Sequence, residues 1–362
     1  MINTQRLIDN LCEFVKIPSE TPDDQEFIAH LEKVFGKMEG AKTKKDAYGN
    51  LIVKFPAKNS SSKDSVGFCC HADTVKPGVG IKPVVDKQNG IIKSDGTTIL
   101  GSDDKVGIAE IIEMLLCAKK HPPIEVIIVR CEETGCFGSI NLDYSLVDSK
   151  MAYVMDSNGL DHIIVGGPSY VTLDVHYKGK PSHAGMAPEK GISSILAAAK
   201  AISKLRLGRI DNETTANVGV IQGGEVRNGV PEHTKINAEC RSLDHEKTQK
   251  LADEMESIFK AAAKEVGTEI KVERKTVMKA YKLSPDEKVV KTVHKAMEKN
   301  NIKPDVQTIV GGTDATFLNF HGIPAAAISC AYYEHHSCNE HVKINEMETV
   351  VKVLIDVVES LA

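Results

Sequence analysis

A chain of 362 residues carries about two domains' worth of sequence at roughly 150 residues each. Hydrophobic residues make up 41% of it and charged residues 26%, an ordinary globular balance that excludes disorder as the main state. With 45 basic against 50 acidic side chains the formal charge is −5, and no long run of either sign supplies the electrostatic footprint of a nucleic-acid binder.

In chain order, the first half alternates helical and strand patterns. Helical stretches are expected near 3 to 16 and 23 to 38, followed by apolar runs ending at Cys70, Cys131 and Met155. Between the first two runs Ile108, Ile111, Ile112, Leu115 and Leu116 recur at helical spacing. This alternation implies an α/β domain with a largely parallel sheet. From Ser169 the pattern changes to strand, helix, two strands, helix and strand, the order of a ferredoxin-like α+β unit of about 105 residues. After Lys279 the α/β pattern resumes with a helix near 285 to 300 and the strand IPAAAISC. The expected organisation is a discontinuous catalytic domain, 1–168 with 277–362, interrupted by an inserted domain at 169–276.

No stretch reaches the roughly 18 apolar residues of a membrane span, and the N-terminal segment is polar-amphipathic. Nine cysteines, an odd number with several inside apolar runs, fit reduced core thiols better than a disulfide framework. A cytoplasmic protein without nucleic-acid or membrane partners is expected.

In an open parallel sheet, ligands bind beyond the carboxyl ends of the strands. Here the apolar runs end in metal-ligand chemistry: SVGFCC leads into His71 and Asp73, EVIIVRC into Glu132 and Glu133, KMAYVM into Asp156, and IPAAAISCAYY into Glu334, His335 and His336. Asp103 and Asp104 stand where the amphipathic helix begins. Each piece alone reads as a helix cap, a satisfied core histidine or a solvated turn. Five such coincidences at one end of one sheet argue for a site. Imidazoles and carboxylates without thiolate suit Zn²⁺, with Mn²⁺ or Co²⁺ as alternatives by ligand type.

The segments HADTV, LGSDDKVGIAEI, CEETGCFGS, VMDSNG, GKPSHAG, GGEVRNGVPE and GGTDATFLNFHGIP, with HHSCNEH after them, closely resemble the co-catalytic zinc peptidases that include peptidase T, glutamate carboxypeptidase and the aminoacylases. The resemblance runs over nearly the whole chain and implies a zinc-exopeptidase-like α/β domain with an inserted lid and dimerisation domain. It implies two Zn²⁺ ions: His71, Asp103 and Asp156 as ligands at one, and Glu133 and His336 at the other, with Asp103 bridging. Asp73 would hydrogen-bond the His71 imidazole, Glu132 would be the general base, and the Asp103–Asp104 peptide would be cis. Glu132 and Glu133 can both reach one site only if the chain is leaving strand geometry there, which Thr134 and Gly135 favour.

In the inserted domain the resemblance makes His183 a donor to the tetrahedral oxyanion, commonly in the neighbouring subunit of a homodimer, and makes Asn228 and Arg241 substrate-binding positions. Val310 stands where peptidase T carries an Arg before its Gly-Gly-Thr-Asp. The expected function is a peptidase T-like aminopeptidase of tripeptides and other short peptides. A carboxypeptidase or N-acyl-amino-acid deacylase is the alternative on the same fold. A metal-binding scaffold without turnover is the alternative of another class. No nucleotide-binding glycine motif and no nucleophile elbow is found.

Overall fold

The computed structural model describes all 362 residues, in two compact units. The first comprises Met1–Gly166, Lys282–Thr308 and Gly312–Ala362; the second comprises Gly167–Tyr281 and Ile309–Gly311.

In the first unit one sheet runs in the order Lys42–Lys45, Leu51–Phe55, Ile124–Val129, Val66–His71, Met151–Ser157, Ala325–Ser329, His162–Gly167. The sheet is mixed. Its centre is parallel, where Val66–His71 pairs with both Ile124–Val129 and Met151–Ser157, and Ala325–Ser329 pairs with Met151–Ser157. The first two strands form an antiparallel hairpin that is itself antiparallel to Ile124–Val129. Its tight turn follows from Asp46, whose Oδ1 accepts the N–H groups of Tyr48, Gly49 and Asn50 at 2.8–2.9 Å.

The central strands are buried along their length, which is why they read as unbroken apolar runs rather than alternating ones. The helix Ser102–Cys117 is buried from Ser102 to Leu115 and packs against Thr4–Phe14 and the C-terminal helix Ile344–Leu361. Arg6 locks the first of these contacts, its guanidinium meeting the Glu113 carboxylate at 2.7 and 2.9 Å. A Cβ at Gly107 would stand 2.6 Å from both Met155 Cβ and Asp104 Oδ1. Only glycine lets the helix approach the strand that carries Asp156 this closely.

The second unit is an antiparallel sheet in the order Gly208–Asp211, Thr214–Gly223, His233–Ser242, Ser169–Lys178, Glu269–Met278. Without the short first strand, that is the 4-1-3-2 arrangement of a ferredoxin-like fold read from the other edge. Helices Ser194–Ile202 and His245–Val266 pack on the sheet, and Leu173, Val175, Tyr177, Ala198, Ile236 and Phe259 are among the residues of the shared core. The alternation of buried and more exposed residues along Ser169–Lys178 follows from one face being covered and the other open.

Candidate active site

The candidate site forms where the central strands of the first unit end. His71 is the last residue of its strand, buried, with Nε2 3.1 Å from Asp103 Oδ1. Asp103 lies in the non-helical opening of the helix Ser102–Cys117, and the Asp103–Asp104 peptide is cis. The donor atoms of His71, Asp103 and Asp156 all lie within 4.8 Å of one another.

Asp103 is shared with a second group. The donor atoms of Asp103, His335 and His336 also fall within 4.8 Å of each other, and His336 Nε2 is 2.9 and 3.0 Å from the two oxygens of Glu133. Two nitrogen and oxygen donor groups joined by one carboxylate fit a pair of divalent cations of the zinc class. Burial opposes ionisation of Asp103, but hydrogen bonds from His336 and His71 outweigh it and hold the carboxyl below its usual range. Asp156 goes the other way: burial, then the charge of Asp103, pushes it up to about 7.

The main chain of the Glu132–Glu133 turn is held by side chains. The strand ends at Val129, and Cys131 takes a positive φ of 53°, so the two glutamates do leave strand geometry. Four successive amides then donate to side-chain oxygens: Arg130 to Asn50 at 3.1 Å, Cys131 to Asp24 at 3.3 Å, Glu132 to Asp73 at 2.8 Å and Glu133 to Asp73 at 3.2 Å. Asp24 also meets the Arg130 guanidinium at 2.5 Å, and Thr21 donates its hydroxyl to Asp73. Burial first, and then the charge of Asp156, push the Glu132 carboxyl well above the usual carboxylate range. The Cys136 thiol donates to Glu132 Oε1 at 3.1 Å.

One expectation changes in detail. The Nδ1 of His71 pairs with the main-chain oxygen of Asp73 at 2.9 Å, while the Asp73 carboxylate stands 3.6 Å away and serves the glutamate amides instead. Two contributors lie inside the segments IPAAAISCAYY and HHSCNEH, yet the sequence assigns neither a role. Tyr332, buried, donates its hydroxyl to Asp156 Oδ1 at 3.2 Å, and Glu340 accepts from the segment around Asp103. Each lies a few residues from the histidine pair, Tyr332 before it and Glu340 after it, the one signal that could have drawn attention to them.

The remaining predicted residues belong to the second unit. His183 is exposed in a short strand paired with Gly229–Val230, and its Nδ1 accepts the N–H groups of Gly185 and Met186 at 3.2 and 3.1 Å. That leaves the ring proton on Nε2. Asn228 lies in the same small structure, its carbonyl accepting from the Ala184 amide at 2.9 Å. Arg241 is already engaged: its guanidinium faces both oxygens of Glu239 at 3.1 and 3.2 Å and lies over the Tyr170 ring at 4.3 Å.

Comparison with known proteins gives consistent matches. Residues 166–267 match the peptidase dimerisation domain, and residues 250–353 match the M42 glutamyl aminopeptidase model. The uncharacterized protein YqjE of Bacillus subtilis is 38% identical over the full length of both chains. Among solved structures, the aminopeptidase PepT from Bacillus cereus is 38% identical with a TM-score of 0.89, covering 99% of each chain. A tripeptidase from Staphylococcus aureus is 31% identical with a TM-score of 0.92, over 100% of this chain and 99% of that one. Together with a site assembled from the very segments that carry the sequence likeness, these full-length matches show that the chain belongs to the peptidase T-like metallopeptidases.

Proposed function

We propose that this peptide hydrolase removes the N-terminal residue of tripeptides and other short peptides at a centre for two divalent cations, zinc by donor type. The observation that carries the reading is the double membership of Asp103 in the donor groups with His71 and Asp156 and with His336. His71, Asp103 and Asp156 would hold one cation, and Asp103, Glu133 and His336 the other, with His335 as a further donor. Cations bound there supply Lewis-acid polarisation of the scissile carbonyl and make a water easier to deprotonate.

The chain's own groups do the rest. Glu132 takes a proton from the attacking water and delivers it to the leaving amine, and burial, which pushes its carboxyl up, favours holding that proton between the two transfers. Asp73 holds the Glu132 and Glu133 amides, so the base and its neighbour keep one orientation through both proton transfers. His183, with its proton on Nε2, is a donor for the tetrahedral oxyanion. Arg241, paired with Glu239, would have to give up that partner to grip a substrate carboxylate.

The second unit also fits a homodimer. Gly208–Asp211 pairs only with Thr214–Ala216, so the outer edge of Asn217–Gly223 has no partner within the chain. Val220 and Ile221 on that edge are 42% and 50% exposed, and Ile195 and Leu196 on the helix Ser194–Ile202 are 40% and 48% exposed. An open apolar edge beside an apolar helix face suits a second copy related by two-fold symmetry.

The test is a panel of one tripeptide in four forms, free, N-acetylated, C-amidated and extended by two residues, with an N-acetyl amino acid assayed beside them. Cleavage of the free tripeptide with loss on acetylation supports the aminopeptidase reading. Preference for N-acyl amino acids would replace it with deacylation. No helix is long and apolar enough to cross a membrane.

A further inference from the structure

Glu340 lies at the closing end of the loop that carries His335 and His336. Tyr332–Tyr333 pairs with His341–Lys343, closing a loop of residues 334–340, and Ser337 tightens it by donating to the Glu334 carbonyl at 2.7 Å while its own carbonyl accepts the Glu340 amide at 3.1 Å. The Glu340 side chain is 1% exposed. Its Oε2 accepts the Gly101 N–H at 2.8 Å, and its Oε1 accepts the Ser102 N–H at 2.7 Å, the Ser102 hydroxyl at 2.6 Å and the Asp103 N–H at 3.1 Å. A buried carboxylate meeting four donors is held firmly, because each charge-assisted bond replaces water that cannot reach it.

We infer that Glu340 is a positioning residue that fixes the spacing between Asp103 and His336 and so couples the two cation positions. This rests on the two-cation reading of the site. Asp103 is the donor common to both groups, and its main chain is tied through Glu340 to the loop that holds His336. Ordering the loop around one cation therefore also orders the carboxylate that the other must use. Glu340 meets Asp103 only at its main-chain N–H and not at the carboxylate, so its effect reaches the cations through the placement of Asp103.

The test titrates the chelator-stripped full-length chain with Zn²⁺ by calorimetry, and follows amide hydrogen exchange at Gly101, Ser102 and Asp103. Glu340→Gln keeps the size of the side chain but turns an amide NH₂ toward main-chain donors. The folded variant should bind both ions at least ~10-fold more weakly, the effect expected when a group that orients a metal ligand is lost. Exchange at the three amides should rise while the central strands keep their protection. Zinc affinities within twofold of the parent in a folded Glu340→Gln protein would overturn the inference, because a residue that merely glues the fold lowers stability without changing the affinity of the folded state.

If Glu340→Gln does not fold, Ser102→Ala removes a single donor to the same oxygen. It should weaken zinc binding severalfold, and unchanged affinity there also rejects the role. A parent chain that takes up no zinc ends the two-cation reading instead. Exchange at the three amides in Ser102→Ala then decides whether Glu340 holds Asp103 at all.

Discussion

Asp73 and Glu132 are joined through the main chain, the Asp73 Oδ1 accepting the Glu132 N–H at 2.8 Å. The other Asp73 oxygen accepts the Glu133 N–H, and the Asp73 carbonyl accepts the proton of His71 Nδ1. One residue therefore sets the pose of the ligand candidate His71 through its main chain, and of the proposed base Glu132 with its neighbour Glu133 through its side chain. Asp73→Asn should separate the two functions, because it keeps the carbonyl and turns one carboxylate oxygen into a donor facing an N–H. We expect kcat to fall ~10- to 100-fold with zinc content near that of the parent. Steady-state kinetics beside metal analysis reads this, and loss of zinc in step with kcat would contradict it.

Glu132→Gln should leave metal content unchanged and lower kcat by ~10²- to 10⁴-fold, the range for losing a general base. The amide cannot take up the water's proton, while its size and its main-chain anchor to Asp73 persist. Loss of one metal equivalent would instead make Glu132 a ligand.

Asp103→Ala and His336→Ala differ in what they remove. Asp103 belongs to both donor groups, His336 to one. After exhaustive dialysis, elemental analysis should find Asp103→Ala short of both ions and His336→Ala short of one. Two tightly held ions in Asp103→Ala would end its role as the shared carboxylate.

How much of this was legible in the sequence follows from where the signal lies. His71, Glu133 and Asp156 stand at or just beyond the ends of buried apolar runs, and the end of such a run is visible without a structure. The roles of Glu340, although it falls inside HHSCNEH, and of Asp24 were not legible, because their partners lie 237 and 107 residues away and a hydrogen bond across that separation leaves no periodic mark. The C-terminal helix Ile344–Leu361 also went unmarked. Its buried face is largely valine, at Val350, Val351, Val353, Val357 and Val358, and β-branched residues blur the distinction between helix and strand. The antiparallel hairpin at the sheet edge was missed for a related reason, since the direction of pairing is set by partners and not by local pattern.

Gly107→Ala tests the close approach of helix and strand. The added methyl meets Met155 Cβ at 2.6 Å and the Asp104 carboxylate at the same distance, so one of the two elements must shift. Overpacking of this kind costs roughly 1–3 kcal/mol. The effect should appear as a lower urea midpoint of the metal-free chain, and an unchanged midpoint would mean the helix slides at no cost. Because Asp104 and Met155 adjoin Asp103 and Asp156, the same variant should bind zinc more weakly.

His183 is the residue whose role depends most on chemistry beyond its own surroundings. The amides of Gly185 and Met186 occupy its Nδ1, so the neutral ring presents an N–H at Nε2 and is prepared to donate. His183→Ala should therefore lower kcat by ~10²- to 10³-fold, the usual effect of losing one oxyanion donor, while zinc content stays at the parental level. Whether it serves its own chain or a partner is decided by mixing. When His183→Ala and Glu132→Gln chains are dissociated mildly, combined in equal amounts and reassociated, about half the dimers are mixed. If His183 acts on the other protomer's site, each mixed dimer contains one intact site and one with both defects, so about a quarter of wild-type sites return from two nearly inactive parents. If it acts within its own chain, every site in a mixed dimer keeps one defect. Activity after remixing, with gel filtration confirming dimers, distinguishes the two, and activity no greater than the sum of the parents rejects service across the dimer.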